Sequence, residues 1–341
     1  MRGVVLPGRR TVAFRDVPDP VPGPGQVVLG VRASGLCGSE LRIIYRREPG
    51  QDTPYRDGVI AGHEPAGEVL TVGAGVRSVR EGDRVAVYHI AGCGQCVECR
   101  AGWQVACESP NRSAYGYHRD GGHAPYLLAE ESSLVPIPEP LSYADGALAS
   151  CGLGTAYQGV LRTGLSARDR VLVVGLGPLG LGVALLACAL DAQVVAVDTN
   201  PGRRDLAATA LECRAYAAGE GIAELLDEET GGHGFEVAFD CTGSAEGRSL
   251  TLYAARRRAR VVFLGEGGEF SFAPSPLLIH KEISLLGSWV CNIASLNGLF
   301  EFLARSGVAA EKIVTHSFAQ EDAERAYRMF DEGRTGKVIL K

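Results

Sequence analysis

The chain has 341 residues, of which 46% are hydrophobic and 22% charged, a composition typical of globular proteins. This length exceeds what one hydrophobic core usually organises, so we expect two domains. A net charge of −6 argues against nucleic acid or an anionic membrane as a partner, since both favour a basic protein surface. The run MRGVVLPGRR lacks a secretory hydrophobic stretch, and we expect a cytoplasmic protein.

Short β-type runs separated by turns occupy residues 1–150. The strand candidates are Gln26–Ala33, Gly67–Val72, Asp83–Tyr88 and Tyr126–Ala129. Each is bounded by glycine, proline or charged residues, which favour turns. We therefore predict a mainly β first half.

Four cysteines lie within fifteen residues of this half, in the run CGQCVECRAGWQVAC. They are Cys93, Cys96, Cys99 and Cys107. Four thiolates on one short loop are the donor set of a closed, tetrahedral structural zinc site. The alternatives are disulfides and scattered core thiols, and disulfides are disfavoured without a secretory context. We predict a structural zinc lobe at residues 93–107.

From about residue 152, strands and helices alternate. The strand candidates are Arg170–Val174, Gln193–Val197, Glu236–Asp240, Arg260–Leu264 and Ile283–Trp289, and the helix candidates are Leu179–Leu190, Arg203–Ala210, Gly221–Thr230 and Ala245–Ala254. Apolar strands separated by helices predict an α/β domain, with a parallel sheet covered on both faces. The uncharged run Val171–Leu190 fits a buried strand, turn and helix better than a membrane span, because it contains four glycines and a proline. After residue 290 we expect one or two helices and a closing strand, Lys337–Leu340.

A glycine-rich turn, GLGPLG, follows the first strand of this half. Gly175 permits the tight turn, Gly177 lets the backbone approach a pyrophosphate, and Gly180 allows close packing of helix on strand. Pro178 and Leu179 open the helix, whose N-terminus offers free N–H groups to phosphates. The pattern predicts a dinucleotide site, and an ordinary βαβ turn is the alternative.

Asp198 ends the next strand, at the distance where a carboxylate accepts hydrogen bonds from an adenosine ribose. Its charge repels a 2′-phosphate, so NAD(H) is favoured over NADP(H). Arg203 and Arg204 leave NADP(H) open, because a basic pair nearby can accommodate that phosphate.

Three remote segments carry further candidate metal ligands: Cys37 in GLCGSEL, His63 and Glu64 in AGHEPAGEV, and Cys151 in ASCGLGTAY. Taken singly, each has a plainer explanation. A lone cysteine is more often a small buried apolar residue, and a His–Glu pair often lies on the surface.

With these segments, the sequence strongly resembles the zinc-dependent alcohol dehydrogenases of the medium-chain dehydrogenase/reductase superfamily, which include polyol, sorbitol and threonine dehydrogenases. The shared motifs, in order, are GLCGSE, GHEPAGEV, the four-cysteine lobe, DGGHAPY, SCGLGTAY, GLGPLG and GKVIL. The resemblance implies a GroES-like, mainly β catalytic domain at residues 1–152 and 290–341. It also implies a Rossmann, doubly wound NAD-binding domain at residues 153–289.

By this resemblance, Cys37, His63 and Cys151 hold a catalytic zinc ion and Glu64 is a transient ligand behind it, making two zinc ions per chain. Relatives of the sorbitol dehydrogenase type commonly have glutamate at position 151. A three-ligand zinc site keeps a position open for substrate. The implied reaction interconverts a secondary alcohol and a ketone by alkoxide formation and hydride transfer with NAD(H).

The resemblance assigns to Ser39 a hydrogen bond to the substrate oxygen and the start of a proton relay. Many relatives have a histidine five residues after the cysteine, where this chain has Arg42, which cannot act as a base near neutral pH. The proton then leaves through a ribose hydroxyl, water or another group. Arg42 contacts substrate or cofactor, or is a surface residue. Glu40 is expected to orient His63.

Further assignments follow from the resemblance. Thr155 is expected to face the nicotinamide and Lys337 to meet the pyrophosphate. Thr242, in FDCTG, is expected to border the cofactor, although a plain strand-to-helix turn has the same pattern. His89 lies where relatives line the substrate pocket, often with an apolar aromatic residue, so it suggests a hydroxylated substrate. A structural histidine is the alternative, and Trp289 is a weaker pocket candidate.

Three more side chains near the DGGHAPY motif are expected to be packing or loop residues: Tyr115, Tyr117 and His123.

The favoured function is oxidation of a polyol, sugar, cyclitol or aminoglycoside-type ring by NAD. The alternatives are a threonine-type amino-alcohol dehydrogenase and a catalytically silent zinc- and nucleotide-binding protein. The complete set Cys37, His63 and Cys151 argues against the silent protein. We expect a small-molecule substrate and a homodimer or homotetramer, with Ile283–Trp289 as the candidate pairing strand.

Overall fold

The structure, a computed structural model, describes residues 1–48, 50–51, 53 and 55–341. The chain divides into two compact units. The first unit is formed by Met1–Gly154, Cys291–Glu332 and Lys337–Lys341, and the second by Thr155–Val290 and Gly333–Gly336.

The first nine strands, in chain order, are β1 Arg2–Gly8, β2 Thr11–Asp16, β3 Gln26–Gly35, β4 Glu64–Val72, β5 Arg84–Val87, β6 Ile90–Ala91, β7 Ser113–Ala114, β8 Tyr126–Glu130 and β9 Leu134–Pro136. They are followed by β10 Arg170–Val174, β11 Gln193–Asp198, β12 Arg214–Ala217, β13 Phe235–Asp240, β14 Ala255–Phe263, β15 Ser284–Gly287, β16 Val314–Phe318 and β17 Lys337–Leu340.

The α-helices, in chain order, are α1 Gly38–Glu40, α2 Val97–Arg100, α3 Tyr143–Ala149, α4 Gly152–Thr163, α5 Pro178–Ala189, α6 Pro201–Ala210, α7 Ile222–Thr230, α8 Ala245–Ala254, α9 Ile293–Ser306 and α10 Ala323–Asp331. A π-helical segment, Leu41–Tyr45, continues directly from α1.

The first unit is built on a mixed sheet in the order β16-β17-β3-β4-β5-β9, in which β8 also pairs with β3. Strands β3 and β4 run antiparallel, and their register sets Gly35 opposite Glu64. Because one strand ends where the other begins, the residues after β3 lie next to those at the start of β4. This junction positions the site described below.

The second unit is a six-stranded parallel sheet in the order β12-β11-β10-β13-β14-β15. The central strands β10 and β13 are almost entirely buried, which explains their continuous apolar sequences. Helix α5, which follows β10, is buried along most of its length. The strand order reverses between β10 and β13, and ligands of open α/β sheets bind where such a reversal occurs.

The predicted fold class is confirmed: a mainly β unit accompanies a doubly wound α/β unit. The uncharged run at residues 171–190 forms β10, a turn and α5, as predicted. Strand β12 was not predicted, because its sequence RAYA carries no continuous apolar run. Strand β14 begins five residues earlier than expected, at Ala255, because the run RRR interrupts the apolar pattern of that strand.

Within the described residues, every helix falls short of the length and apolarity that crossing a bilayer requires.

Candidate active site

The four-cysteine lobe brings its sulfur atoms within 4.8 Å of one another. Backbone amides point at these sulfurs. Cys93 Sγ accepts from Gln95 N and Cys96 N, both at 3.4 Å, and Cys96 Sγ accepts from Cys99 N at 3.4 Å at the start of α2. Cys107 Sγ accepts from Cys93 N at 3.3 Å. These hydrogen bonds, chiefly that from Gln95, lower the pKa of Cys93 to about 6. Four convergent sulfurs with amide support fit a closed zinc site.

A second cluster gathers Cys37, His63, Glu64 and Cys151, each of which places one ligand atom within 4.8 Å of the others. Cys37 precedes α1, which follows β3, and His63 and Glu64 lie at the start of β4. Cys151 lies between α3 and α4. The register of β3 and β4 therefore explains how segments remote in sequence meet here. We call this group the buried cluster.

Glu40 holds two members of the buried cluster. Its Oε1 accepts from His63 Nδ1 at 2.8 Å and from the His63 backbone at 3.1 Å, while its Oε2 accepts from Cys37 N at 3.2 Å and from Tyr327 Oη at 3.2 Å. Burial is the largest single influence and opposes the charge of this carboxylate, but the charge and hydrogen bond of His63, with a smaller contribution from His123, together lower the pKa of Glu40. Burial likewise opposes charge on His63, and Glu40 raises its pKa nonetheless. With Nδ1 bonded to Glu40, His63 Nε2 is left for a metal ion.

The two cysteines of the buried cluster share a hydrogen bond. The bond from Cys151 is the largest influence on Cys37 and holds its pKa well below the usual value. The same bond, together with burial, raises the pKa of Cys151. Zinc binding requires both sulfurs to be deprotonated, so an ion bound here would displace the proton that the two cysteines share.

Lys337 joins the buried cluster. It is only 2% exposed, and its Nζ forms an ion pair with Glu64 Oε2, while its contact with a pyrophosphate stays a prediction. A side chain at position 35 would overlap Glu64 and approach Lys337, so Gly35 leaves room for this pair. Burial, only partly offset by Lys337, raises the pKa of Glu64 to about 7.

Glu64 Oε1 is buried, and no hydrogen-bond donor among the described residues reaches it. An unpartnered carboxylate oxygen in a buried site is costly unless a ligand satisfies it. Two sulfurs, an imidazole nitrogen and this oxygen are donors that zinc accepts. The donor set therefore fits a zinc ion held by two sulfurs and one imidazole, with Glu64 as an exchangeable fourth donor. The lobe, in contrast, provides four sulfurs.

Two further side chains lie against His63. The ring of Tyr117 is 5.1 Å from the His63 ring between centroids, and that of His89 is 5.3 Å away. His89 Nδ1 hydrogen-bonds to Ser150 O at 2.8 Å, and burial, assisted by His63, lowers the pKa of His89 to about 4. His89 is thus neutral near pH 7 and lies beside the buried cluster, and its contact with a substrate stays a prediction.

Ser39 lies at the edge of the buried cluster. Its Oγ donates to Cys37 Sγ at 3.2 Å and is 2.8 Å from Tyr117 Oη. Arg42 is exposed on the π-helical segment after α1, and its role stays a prediction. Trp289, in the second unit, has 57% of its surface exposed, and its place in a substrate pocket also stays a prediction.

In the second unit, the glycine turn adopts the conformation that the pattern predicts. Gly175 has φ of +93°, and a side chain on Gly180 would overlap the Gly175 carbonyl oxygen. Gly177 precedes α5, which Pro178 and Leu179 open. Among the described residues, a side chain at position 177 would meet only Arg203 Nη1, at 3.9 Å. The turn thus leaves open the place where a pyrophosphate binds in such folds.

Asp198 lies directly beside this turn. Its Oδ2 accepts from Leu176 N at 2.5 Å, and its Oδ1 accepts from Asn200 N at 2.7 Å. Arg204 Nη1 donates to the carbonyl oxygens of Asp198 and Thr199, both at 2.9 Å, and Arg203 Nε donates to Thr335 O at 3.1 Å. Both arginines are therefore engaged by backbone carbonyls.

Thr242 also borders the glycine turn. A side chain on Gly175 would come within 2.7 Å of Thr242 Cγ2, and Thr242 Oγ1 donates to Asp240 Oδ1 at 2.6 Å. Thr242 stabilises the turn after β13, and its contact with the cofactor stays a prediction. Thr155 is buried in α4, and its contact with a cofactor stays a prediction.

Two family models match the chain. Residues 23–139 match the alcohol dehydrogenase GroES-like domain, and residues 178–305 match the zinc-binding dehydrogenase domain. An uncharacterised zinc-type alcohol dehydrogenase-like protein of Escherichia coli (strain K12) is 42% identical over 347 residues, covering 100% of this chain and 98% of its own length. The chain belongs to the zinc-dependent alcohol dehydrogenase family.

Other members of this family are similar over most of their length. An L-galactonate-5-dehydrogenase of Escherichia coli (strain K12) is 30% identical, covering 88% of this chain and 86% of its own. The crystal structure of an NAD-dependent alcohol dehydrogenase, 25% identical, superposes with a TM-score of 0.87 over 100% of this chain and 99% of its own. The chain is therefore an oxidoreductase of a zinc- and nicotinamide-dependent class.

In this zinc-dependent alcohol dehydrogenase, sequence reasoning undervalued three residues at the buried cluster. Tyr117 was expected to pack, Tyr327 was not considered, and Lys337 was assigned elsewhere. Tyr115 and His123 do pack as expected: Tyr115 Oη accepts from Glu130 N at 2.9 Å, and His123 is buried. The undervalued residues come from segments distant from the metal-ligand motifs, so spacing carried no signal for them.

Proposed function

We propose that this protein is an NAD(H)-dependent oxidoreductase that interconverts a secondary alcohol and a ketone on a polyol, sugar or cyclitol. One observation carries the proposal: Cys37, His63 and Cys151, from three remote segments, converge on one buried point beside an unpartnered oxygen of Glu64. A protein that only binds nucleotides has no need of such a donor set.

In this proposal, Cys37, His63 and Cys151 hold a catalytic zinc ion, with Glu64 as a fourth, exchangeable donor. The lobe of Cys93, Cys96, Cys99 and Cys107 holds a second, structural zinc ion. When bound, the catalytic zinc supplies a Lewis acid to the substrate oxygen, and NAD⁺ supplies the hydride acceptor.

The chain's own groups prepare this site. The Glu40 carboxylate fixes the His63 ring and holds the proton on Nδ1, which makes Nε2 a better ligand. Lys337 offsets part of the cost of burying a charge on Glu64. Ser39 Oγ accepts a hydrogen bond from the substrate hydroxyl and so orients it, while the proton leaves through a ribose hydroxyl, water or another group.

The second unit supports NAD(H) as the cofactor. The open face at Gly177 and the free N–H groups at the start of α5 receive the pyrophosphate. Arg203 Nη1 lies beside that face, so we expect Arg203 to contact the phosphates, and the contact expected of Lys337 stays a prediction. The Asp198 carboxylate repels a 2′-phosphate. Arg204, whose charge could attract that phosphate, is instead hydrogen-bonded to backbone carbonyl oxygens.

The polar surroundings of His63 support a hydroxylated substrate. His89 donates Nδ1–H to Ser150 O, which leaves Nε2 as an acceptor for a substrate hydroxyl. An amino alcohol of the threonine type is the second candidate, because an ammonium group could donate to the same nitrogen.

We also propose that the protein assembles as a homodimer or homotetramer. Strand β15 ends the parallel sheet of the second unit and, within the described residues, pairs on one side only, with β14. An exposed sheet edge of this kind can pair with the same edge of a second copy.

The test is NAD⁺ reduction across a panel of polyols, sugars, aminocyclitols and amino alcohols, with NADP⁺ in parallel. We expect turnover with a secondary alcohol and NAD⁺. Turnover confined to NADP⁺ would contradict the role of Asp198, and unchanged turnover in Ser39→Ala would contradict the role of Ser39. Turnover with no substrate, together with one zinc ion per chain, would favour the catalytically silent alternative.

A further inference from the structure

Ser39 Oγ lies between two partners, and it has a single proton to donate. Cys37 Sγ is 3.2 Å away on one side, and Tyr117 Oη is 2.8 Å away on the other. Resting on the proposed function, Cys37 is a metal-bound thiolate, which has no proton and can only accept. The bond between Ser39 and Cys37 therefore uses the Ser39 proton.

The bond between Ser39 and Tyr117 must then run the other way. Because the hydroxyl proton of Ser39 is used in the hydrogen bond to Cys37 Sγ, Ser39 can only accept from Tyr117. The phenol therefore donates to Ser39 Oγ. The result is a directed chain in which Tyr117 Oη donates to Ser39 Oγ and Ser39 Oγ donates to Cys37 Sγ. Consecutive hydrogen bonds of this kind polarise one another.

Tyr117 is held rigidly enough to set this direction. Its side chain is 6% exposed, and its ring packs between those of His63, at 5.1 Å, and Tyr55, at 4.9 Å. Its carbonyl oxygen accepts from Arg56 N at 2.8 Å. The preceding Gly116, with φ of +75°, packs so closely on the backbone at Gly62 and His63 that a side chain there would lie 3.1–3.2 Å from it.

We propose that Tyr117 is a positioning residue that acts on the metal through Ser39 and Cys37. Its phenol anchors Ser39 Oγ, leaves one lone pair of that oxygen for the substrate hydroxyl, and strengthens the hydrogen bond on the Cys37 thiolate. A thiolate that receives a stronger hydrogen bond gives less charge to its metal, so the metal becomes a stronger Lewis acid. Tyr117 lies outside the sequence motifs by which the resemblance to the family was identified.

The experiment replaces zinc by Co²⁺ in the whole protein and measures the sulfur-to-cobalt charge-transfer absorption. Removing a hydrogen bond from a thiolate raises the energy of its electrons and shifts this band to longer wavelength. We expect a small shift in Tyr117→Phe, a larger one in Ser39→Ala, and no further shift when Tyr117→Phe is added to Ser39→Ala. The cobalt in the lobe contributes the same background to every variant, so difference spectra report on the buried cluster.

Tyr115→Phe is the matched control, because it removes a buried phenol hydroxyl that bonds to Glu130 and does not touch the buried cluster. Its difference spectrum is expected to be flat. With a substrate in hand, Tyr117→Phe is expected to lower kcat/KM about tenfold with unchanged metal content.

A Tyr117→Phe spectrum identical to that of the unmodified protein would overturn the inference, as would a shift that persists in the Ser39→Ala background. Failure of the proposed function is distinguishable. In that case the unmodified protein binds one Co²⁺ per chain, at the lobe, and no difference signal arises from the buried cluster in any variant.

Discussion

The two metal-ligand groups of the first unit are assembled in opposite ways. The lobe draws four sulfurs from fifteen consecutive residues, and backbone N–H groups from the same loop support them. The buried cluster draws two sulfurs, an imidazole and a carboxylate from three remote segments. Side chains outside the ligand set support it, namely Glu40, three residues after Cys37, and Lys337, at the start of β17.

This difference separates a group that closes around an ion from one that can exchange ligands. Four equivalent sulfurs leave zinc no open position. In the buried cluster, Glu64 is tied to Lys337 through one oxygen while the other has no partner among the described residues. We therefore expect the lobe to stabilise the fold and the buried cluster to carry the chemistry.

The largest expected effect tests the chemistry of the buried cluster. Replacing Cys151 by alanine removes one ligand, so we expect one zinc ion per chain and activity lower by about 10²–10⁴-fold, because Lewis-acid assistance is worth several kcal/mol. Steady-state kinetics with metal analysis measures both. Cys291→Ala is the control, because Cys291 is fully buried outside both groups. Equal losses in the two variants would show a packing effect.

Removing a ligand from the lobe is expected to lower the stability of the protein and to leave its activity nearly unchanged. Replacing Cys99 by alanine removes one zinc ion and is expected to lower the free energy of unfolding by about 4 kcal/mol or more, because metal loss is among the causes of the largest single-mutation effects. Denaturant unfolding measures the loss. Activity per folded molecule stays near that of the unmodified protein. If activity instead fell as far as in Cys151→Ala, the separation of the two roles would be wrong.

The smallest of these effects is expected for Glu40, which is outside the ligand set but orients the ligand His63. Glu40→Gln keeps the shape but weakens the hold on His63, so zinc affinity at the buried cluster should fall about 10–100-fold. Competition with a chelator measures this affinity, and the lobe should keep its ion. Glu130→Gln is the control, since Glu130 pairs with Gln26 and Arg119. An affinity unchanged in Glu40→Gln would remove Glu40 from the account.

The contrast also explains how much the sequence could predict. The lobe and the glycine turn at Gly175 each lie within a few consecutive residues, so spacing alone indicated both. The buried cluster was named only through the family resemblance, because composition and periodicity do not reveal which remote segments meet. The register of β3 and β4 supplies that information in the structure.

Other features depended on tertiary packing that no local pattern records. Lys337 ends in an ion pair with Glu64 because Gly35 leaves space for it, which its own motif does not show. Tyr117 reaches Ser39 because Gly116 packs on the backbone of Gly62. Strand β12 is short and half-exposed, so it lacked the apolar run by which its neighbours were predicted.

The central claim is that a metal ion binds among Cys37, His63 and Cys151. Anomalous diffraction from crystals of the purified protein, measured on both sides of the zinc absorption edge, tests it most directly. The account predicts two zinc peaks per chain, one within the lobe and one bonded to both cysteine sulfurs and to His63 Nε2. A single peak at the lobe, with those three side chains directed away from one another, would contradict it.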